Sequence, residues 1–268
     1  MDDWRSYDGV AETYERIQAP RLSEVARDLV AMSEVRSGDR LLDVGTGTGV
    51  AAVAGADAAG HDGLSVGVDV SVGMLRTGRR DRPDLRLVAG SAIDLPFRDR
   101  MFDAVVANFV VSHFTKYQTA MFDMLRVLKH RGRLALSSWA DKPDDLQKTW
   151  SELVEASVGP GLLADARARA VPWADRFADR TAIEETMIDA GLRHVRTERR
   201  EYRFVYPLSD YVEGLGTWST GRFVRSMLGE DGWRRFLERA QATFADRFAD
   251  PVNDFREVWL AVGIKHEY

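Results

Sequence analysis

The sequence predicts an α/β fold in which a mostly parallel sheet is covered by helices on both faces. The first reason is a short apolar strand, residues 41–44, that turns through three glycines into an Ala-rich helical run. The second is the alternation that follows, because strands that alternate with helices form parallel sheets with both faces buried. We expect strands near 40–44, 65–69, 85–89, 102–107 and 133–138, and helices near 49–59, 72–80 and 117–130.

Residues 1–37 are predicted to be helical. Tyr7, Val10, Ala11 and Tyr14 share one face by helical spacing, and a second helix is expected over residues 22–35. Ser71 is expected to cap the 72–80 helix.

The spacing of Gly45, Gly47 and Gly49 indicates the kind of ligand. A dinucleotide fingerprint needs Gly-x-Gly-x-x-Gly, whereas this loop is Gly-x-Gly-x-Gly with Val50 next. A phosphate loop would need Gly-Lys-Ser/Thr, which is absent. The second strand ends on Asp69, a little over 20 residues on, where a carboxylate is placed to accept from a ribose diol. The pattern predicts an adenosyl group without a pyrophosphate, although Asp69 could instead be a turn residue.

These stretches, taken in order, resemble the motifs of class I S-adenosylmethionine-dependent methyltransferases of the ubiquinone-biosynthesis-like branch. Each motif alone is weak, but their order and spacing over about half of the chain are specific. The matching segments are 41–50, Val68-Asp69-Val70-Ser71-Val72-Gly73-Met74-Leu75, Gly90-Ser91-Ala92-Ile93-Asp94-Leu95-Pro96-Phe97, 102–113, 125–129 and 132–136.

The resemblance implies a Rossmann-like sheet of seven mostly parallel strands with an antiparallel last strand and helical lid insertions. We expect an N-terminal helical cap over 1–37, a cofactor-binding core over 38–140, 181–206 and 256–268, and a substrate lid over 141–180 and 207–255. A strand is expected over 195–206, and Thr181 to Glu184 fits a capping box that starts the preceding helix. That helix should end at Ala190-Gly191.

The resemblance also implies S-adenosyl-L-methionine as the cofactor and names its contacts. Asp43 would shape the loop and reach the amino end of methionine, or would merely cap a nearby segment. Met74 would be half core and half adenine floor, and Ser91 stands where many relatives have Asp. The full set of expected cofactor-binding residues is Asp43, Gly45, Thr46, Gly47, Gly49, Asp69, Val70, Met74, Ser91, Ala92, Ile93 and Asn108.

Two residues are candidates for catalysis. His113 is a candidate general base, since its unperturbed pKa suits neutral pH, or it makes a structural hydrogen bond. Tyr14, and less favourably Tyr7, could orient the acceptor, or both could pack a helix onto the sheet. The family resemblance adds that this N-terminal stretch can fold over the cofactor.

The composition argues against several classes of binding partner. The net charge is −5 without a basic block, which argues weakly against nucleic acid as a partner. The chain has no cysteine, no metal-ligand cluster and no apolar stretch near 20 residues, so a soluble, cytoplasmic protein without metal or membrane partner is expected. A homodimer is compatible with the sequence.

The function predicted is methyl transfer to oxygen, nitrogen or carbon of a small molecule. The aromatic residues in 207–255 favour an apolar or aromatic specialised metabolite, although they could simply form the lid core. The alternatives are a cyclase or isomerase that binds S-adenosylmethionine without transferring methyl, and a non-catalytic binding subunit.

Overall fold

A computed structural model describes residues 7–140 and 143–266. Residues 1–6, 141–142 and 267–268 belong to the predicted cap, lid and core, and they lie outside the described residues. In the described part of the chain, one sheet contains seven strands, which we label β1 (Arg40–Val44), β2 (Leu64–Asp69), β3 (Arg86–Ala89), β4 (Phe102–Asn108), β5 (Leu128–Trp139), β6 (Leu192–Tyr206) and β7 (Val252–Lys265).

The strand order is β3-β2-β1-β4-β5-β7-β6. Strands β1 to β5 pair in parallel, and β7 runs antiparallel to both β5 and β6. The central strands are nearly continuous apolar runs because both faces of a parallel sheet are covered; Leu41, Leu42 and Val44 are fully buried. The predicted fold class is confirmed, including the antiparallel last strand.

The helices cover both faces of this sheet, each with its own apolar cluster. The helices are α1 (Ala11–Thr13), α2 (Ala19–Met32), α3 (Val50–Ala59), α4 (Val72–Asp81), α5 (Tyr117–Val127), α6 (Asp145–Val158), α7 (Pro160–Ala170), α8 (Ala174–Ala178), α9 (Arg180–Asp189), α10 (Leu208–Leu215) and α11 (Ser219–Arg247), with a π-helical turn over Tyr14–Gln18 and a 3₁₀ turn over Val111–His113. One cluster joins α2 and α3 to the aromatic residues of α6 and α11. The other joins α5 and α9 to the opposite face.

Some predicted boundaries are wrong by several residues. The helix expected over 117–130 ends at Val127, and β5 begins at Leu128 instead of 133. Phe102 pairs with Leu128 while Ala104 pairs with Arg133, so residues 129–132 bulge out of the ladder. The last strand likewise begins at Val252, four residues early, because its first residues pair with the end of β6.

Of the two helix N-caps predicted from the sequence, one is confirmed and one is wrong. Ser71 Oγ accepts a hydrogen bond from the Met74 N–H at 3.3 Å, as predicted. The capping box at Thr181 is wrong, because α9 begins at Arg180 and the side chain of Asp179 accepts from the Ala182 N–H at 2.8 Å. Asp is as good an N-cap as Thr and carries a charge that favours the helix N-terminus.

Replacing Asp179 with alanine is expected to lower the free energy of unfolding by about 1 kcal/mol, because the first turn of α9 loses its cap. Chemical denaturation measures the loss. Thr181→Ala is the matched control and should leave stability within about 0.5 kcal/mol of wild type. If Thr181→Ala is the more damaging change, the original capping box is right and this assignment is wrong.

Among the described residues, no helix combines the length and the apolar character needed to span a bilayer.

Candidate cofactor and acceptor site

The turn after β1 requires glycine at three positions. Gly45, Gly47 and Gly49 have φ of +70°, +57° and +100°, which lie in the left-handed region that residues with a β-carbon rarely adopt. The N–H groups of Gly45 and Thr46 both donate to the carbonyl of Val68, at 2.8 and 3.0 Å. The loop is thereby fixed against the end of β2, and Gly49 starts α3.

Asp69 ties this loop to the start of α4. Its Oδ2 accepts from the Gly47 N–H and its Oδ1 accepts from the Ser71 N–H, both at 2.8 Å. Burial raises the pKa of Asp69, and these backbone hydrogen bonds oppose the rise. The Val70 N–H also donates to this carboxylate, and because a carboxylate has about four acceptor sites, it keeps acceptor capacity after these three contacts. The carboxylate therefore holds the loop and can still accept from a diol.

Asp43 holds the same loop from below. It is buried, and its Oδ2 accepts from the Thr46 hydroxyl at 2.6 Å and from the Ala52 N–H at 2.9 Å. Its Oδ1 is also buried and has no hydrogen-bond partner among the described residues. Burial raises the pKa of Asp43 to about 7, although the bonds from Thr46 and Ala52 lower it. The structural role considered from the sequence is present, and the orphaned oxygen is available for a donor.

The raised pKa of Asp43 predicts a pH-dependent stability. Its pKa is about 7 in the folded chain against 3.8 for the free side chain, so between these values the folded state binds the extra proton. The free energy of unfolding should therefore fall as pH rises through this window and level off above it. Asp43→Asn lacks this charge, so wild type should lose stability relative to the variant between about pH 5 and about pH 7. Urea denaturation at several pH values measures the difference; parallel curves would contradict the assignment.

Three side chains cover the glycine loop. A β-carbon built on Gly47 would lie 3.3 Å from Met74 Cε and 4.0 Å from Tyr14 Cε1, and one built on Gly45 would lie 2.3 Å from Val110 Cγ2. Tyr14 begins the π-helical turn, a distortion often found at functional sites. Burial raises the pKa of Tyr14, so its hydroxyl is a donor at neutral pH. A ligand lying on Gly45 and Gly47 requires Val110 and Tyr14 to turn aside.

The edge beyond Asp69 presents apolar side chains. Asp69 pairs with Ala89 of β3, and the Gly90 N–H donates to the Asp69 carbonyl at 2.9 Å, so residues 90–93 follow beside Val70. Val70 and Ile93 are each 40% exposed. Ala92 is partly buried, Met74 is buried, and Ser91 Oγ accepts from the Ile93 N–H at 3.4 Å. This edge suits the flat faces of a purine.

The other end of the loop faces β4 and β5. Asn108 Oδ1 accepts from the Ser137 hydroxyl at 2.6 Å, and the Phe109 N–H donates to Ser137 Oγ at 3.0 Å. Phe109 has a φ of +56° and stacks on Trp139 with ring centroids 4.2 Å apart. The backbone at Asn108 is thus held at the carboxyl edge of the sheet, where ligands of such folds bind.

His113 makes the structural hydrogen bond that was one of its two predicted roles. Its Nδ1 lies 3.1 Å from the carbonyl of Ala170 in α7, and because a carbonyl only accepts, this nitrogen is the donor. The ring of Tyr7 meets His113 edge-on at 6.4 Å, and the Arg222 guanidinium lies 3.7 Å from the Tyr7 ring centre. The base role of His113 stays a prediction.

Sequence analysis missed a second group of buried polar residues beside this edge. Arg21 of α2 pairs with Asp254 of β7 at 3.0 Å, and both side chains are nearly inaccessible. Arg256 lies over the Trp139 ring at 4.3 Å. A signal was present, because Asp254 and Arg256 fall at every second position between Val252 and Val258, and so lie on the same buried face of the strand as these two valines.

The comparisons with known proteins agree with this geometry. The sequence profile of a family described as a methyltransferase domain matches residues 42–136. The demethylmenaquinone methyltransferase of Renibacterium salmoninarum is 36% identical over 147 residues, which cover 50% of this chain and 60% of that relative. The demethylmenaquinone methyltransferase of Clavibacter sepedonicus is 31% identical over 194 residues, covering 68% of this chain and 76% of the relative. The chain belongs to the class I S-adenosylmethionine-dependent methyltransferases.

The fold is shared with solved members of the same architecture. The YcgJ protein of Bacillus subtilis superposes with a TM-score of 0.58 and 22% identity, over 91% of this chain and 100% of that chain. At this identity the likeness concerns the fold alone. S-adenosyl-L-methionine is the cofactor of the methyltransferase family to which the chain belongs, and the residues described above can be tested against it.

The residues present fit an S-adenosylmethionine molecule. The left-handed glycines would offer bare backbone to its amino-acid tail once Val110 and Tyr14 turn aside, and the orphaned Oδ1 of Asp43 belongs to the residue that holds this loop. The remaining lone pairs of Asp69 suit ribose hydroxyls, and exposed Val70 and Ile93 suit the adenine faces. Ser91 offers only a neutral oxygen to the adenine amine.

Proposed function

We propose that the protein transfers methyl from S-adenosylmethionine to a small aromatic acceptor of the quinone type. The observation that carries the proposal is the left-handed glycine loop bonded to Asp69 at the switch point of the sheet, since the strand order reverses direction between the neighbours β1 and β4. The names of the relatives support a quinone-type ring, and the aromatic residues near Trp139 are compatible with it. An apolar specialised metabolite of similar shape is the broader class.

The chain's own residues would bind and orient the reactants. S-adenosylmethionine supplies the methyl group and the chemical driving force when it is bound. Asp43, Gly45, Thr46, Gly47 and Gly49 would hold the amino-acid tail, and Asp69 the ribose. The adenine would lie between Val70, Met74, Ser91, Ala92 and Ile93, and the backbone at Asn108 would face the sulfonium. This fixed arrangement lowers the entropic cost of encounter, a contribution that can reach several kcal/mol.

Two side chains are proposed to act on the acceptor. Tyr14 covers the loop, and its protonated hydroxyl could donate to an acceptor oxygen. His113 is held by its contact with the Ala170 carbonyl and could act as the base that accepts a proton from the acceptor. Together with the cap over 1–37, the lid over 141–180 and 207–255 would exclude water around them.

Two measurements test the proposal. Calorimetry should give micromolar binding of S-adenosylhomocysteine and no comparable binding of NAD, because the loop lacks the dinucleotide spacing. A labelled-methyl assay with a short-chain demethylmenaquinol should give a product heavier by one methyl group. A product of unchanged mass would favour a cyclase or isomerase, and absence of S-adenosylhomocysteine binding would leave a non-catalytic subunit.

A further inference from the structure

A group of buried donors lies beneath the lid, and we call it the donor cluster: Arg21 of α2, Tyr206 at the end of β6 and Tyr211 of α10. All three side chains are at least nine-tenths buried. Arg21 Nε, the Tyr206 hydroxyl and the Tyr211 hydroxyl have no hydrogen-bond partner among the described residues. Buried donors are normally satisfied, so three orphaned donors together need an explanation.

The three donors are neighbours. The Arg21 guanidinium lies 5.1 Å from the centre of the Tyr206 ring, and the Tyr206 and Tyr211 rings are 5.6 Å apart. The charges of Arg21 and Asp254 act on both phenols, and burial raises the pKa of both. Both hydroxyls therefore keep their protons at neutral pH and can donate.

The donor cluster adjoins the proposed methyl-transfer site. Arg21 lies 5.9 Å from the centre of the Trp139 ring, and Trp139 stacks on Phe109, the residue after Asn108. Tyr14, which lies beside Gly47 of the glycine loop, is seven residues before Arg21 on the same N-terminal helical segment. This segment therefore joins the glycine loop to the donor cluster.

The contacts around Arg21 show why its Nε remains available. One terminal nitrogen donates to Gln18 Oε1 at 2.8 Å and the other to Asp254 Oδ2 at 3.0 Å, which fixes the guanidinium plane. That plane lies 4.5 Å from the centre of the Phe204 ring. A rigid donor between aromatic rings suits a flat ligand with an acceptor at its edge.

Tyr202 of strand β6 is a buried tyrosine with a purely structural role. It is buried on the same face as Tyr206, four residues earlier, and its hydroxyl donates to Asp28 at 2.7 Å. In this strand the Tyr202 hydroxyl therefore has a protein partner, whereas the Tyr206 hydroxyl has none among the described residues.

We infer that the donor cluster binds a negatively charged oxygen, carboxylate or phenolate, carried by the planar aromatic ring of the acceptor. The inference rests on the proposed function, because it assigns the acceptor's polar end to this place. Charge-assisted hydrogen bonds from Arg and Tyr would hold that oxygen and direct the ring past Trp139 toward the cofactor.

The test uses the full chain with and without saturating S-adenosylhomocysteine. Calorimetry measures two anions, 4-hydroxybenzoate and 6-hydroxy-2-naphthoate, against the neutral amide of each. Wild type should bind at least one anion about tenfold or more tighter than its amide, the effect of hydrogen bonds to a charged group. Tyr206→Phe and Tyr211→Phe should each abolish most of that preference without lowering the melting temperature, since neither hydroxyl loses a protein partner.

Tyr202→Phe is the matched control and should lower the melting temperature while leaving anion binding unchanged. Equal affinity for anion and amide, no binding of either anion at millimolar concentration, or wild-type anion binding by both Tyr206→Phe and Tyr211→Phe would overturn the inference. Failure of S-adenosylhomocysteine to bind in its own titration would instead contradict the proposed function, so the two failures are distinguishable.

Discussion

Asp69→Ala is expected to weaken S-adenosylhomocysteine binding at least about tenfold, because hydrogen bonds to a charged group contribute about 1.5–3 kcal/mol. The variant loses the proposed acceptor of the ribose hydroxyls. It also releases the Gly47 and Ser71 N–H groups that Asp69 holds at 2.8 Å. Calorimetric titration at fixed pH measures the loss.

The matched control is Asp57→Ala, which removes an exposed carboxylate from α3, the helix that follows the loop. It should bind S-adenosylhomocysteine as wild type does. Normal binding by Asp69→Ala would show that the ribose assignment is wrong, whereas equal losses in both variants would indicate a general charge effect.

Gly45→Ala is expected to destabilise the fold and to abolish cofactor binding. The φ of +70° costs a residue with a β-carbon about 1–2 kcal/mol. The new methyl group would also lie 2.3 Å from Val110 Cγ2, and overpacking of this kind costs about 1–3 kcal/mol more. Denaturation measures the stability, and titration with S-adenosylhomocysteine measures the binding.

Two further variants separate the cost of the backbone conformation from the cost of the contact with Val110. Gly38 has a φ of +87°, and no described atom lies within 4 Å of a β-carbon built there, so Gly38→Ala isolates the backbone cost. Adding Val110→Ala to Gly45→Ala should recover part of the stability but not the binding, since the alanine methyl still occupies the loop. A Gly45→Ala variant as stable as Gly38→Ala would mean that Val110 does not pack on the loop.

The fold and the cofactor loop were predictable because their determinants are local. Three alternate glycines after an apolar strand leave few other conformations, and the acid that ends the next strand falls beside them in any parallel sheet. Apolar runs likewise located β1 to β4 to within a residue or two, whereas β5 begins five residues before its predicted start. The capping box failed for a local reason: Asp179 and Thr181 are both competent caps, and Asp is the stronger of the two because of its N-cap preference and its charge.

The donor cluster was not predictable in the same way. Arg21 meets Asp254 across 233 positions of sequence, and only the packing of α2 against β7 brings them together. The inward positions of Asp254 and Arg256 were visible as an alternation, but their partners were not. The π-helical turn at Tyr14, by contrast, has a local signal, since Pro20 lacks the N–H that an ordinary helix would donate to the Arg16 carbonyl.

A crystal structure of the chain with S-adenosylhomocysteine tests the central claim most directly. The account predicts ribose hydroxyls within hydrogen-bonding distance of the Asp69 carboxylate, the amino-acid tail on Gly45 and Gly47, and the side chains of Val110 and Tyr14 displaced from the loop. A nucleoside bound elsewhere, with Asp69 contacting only Gly47 and Ser71, would contradict it.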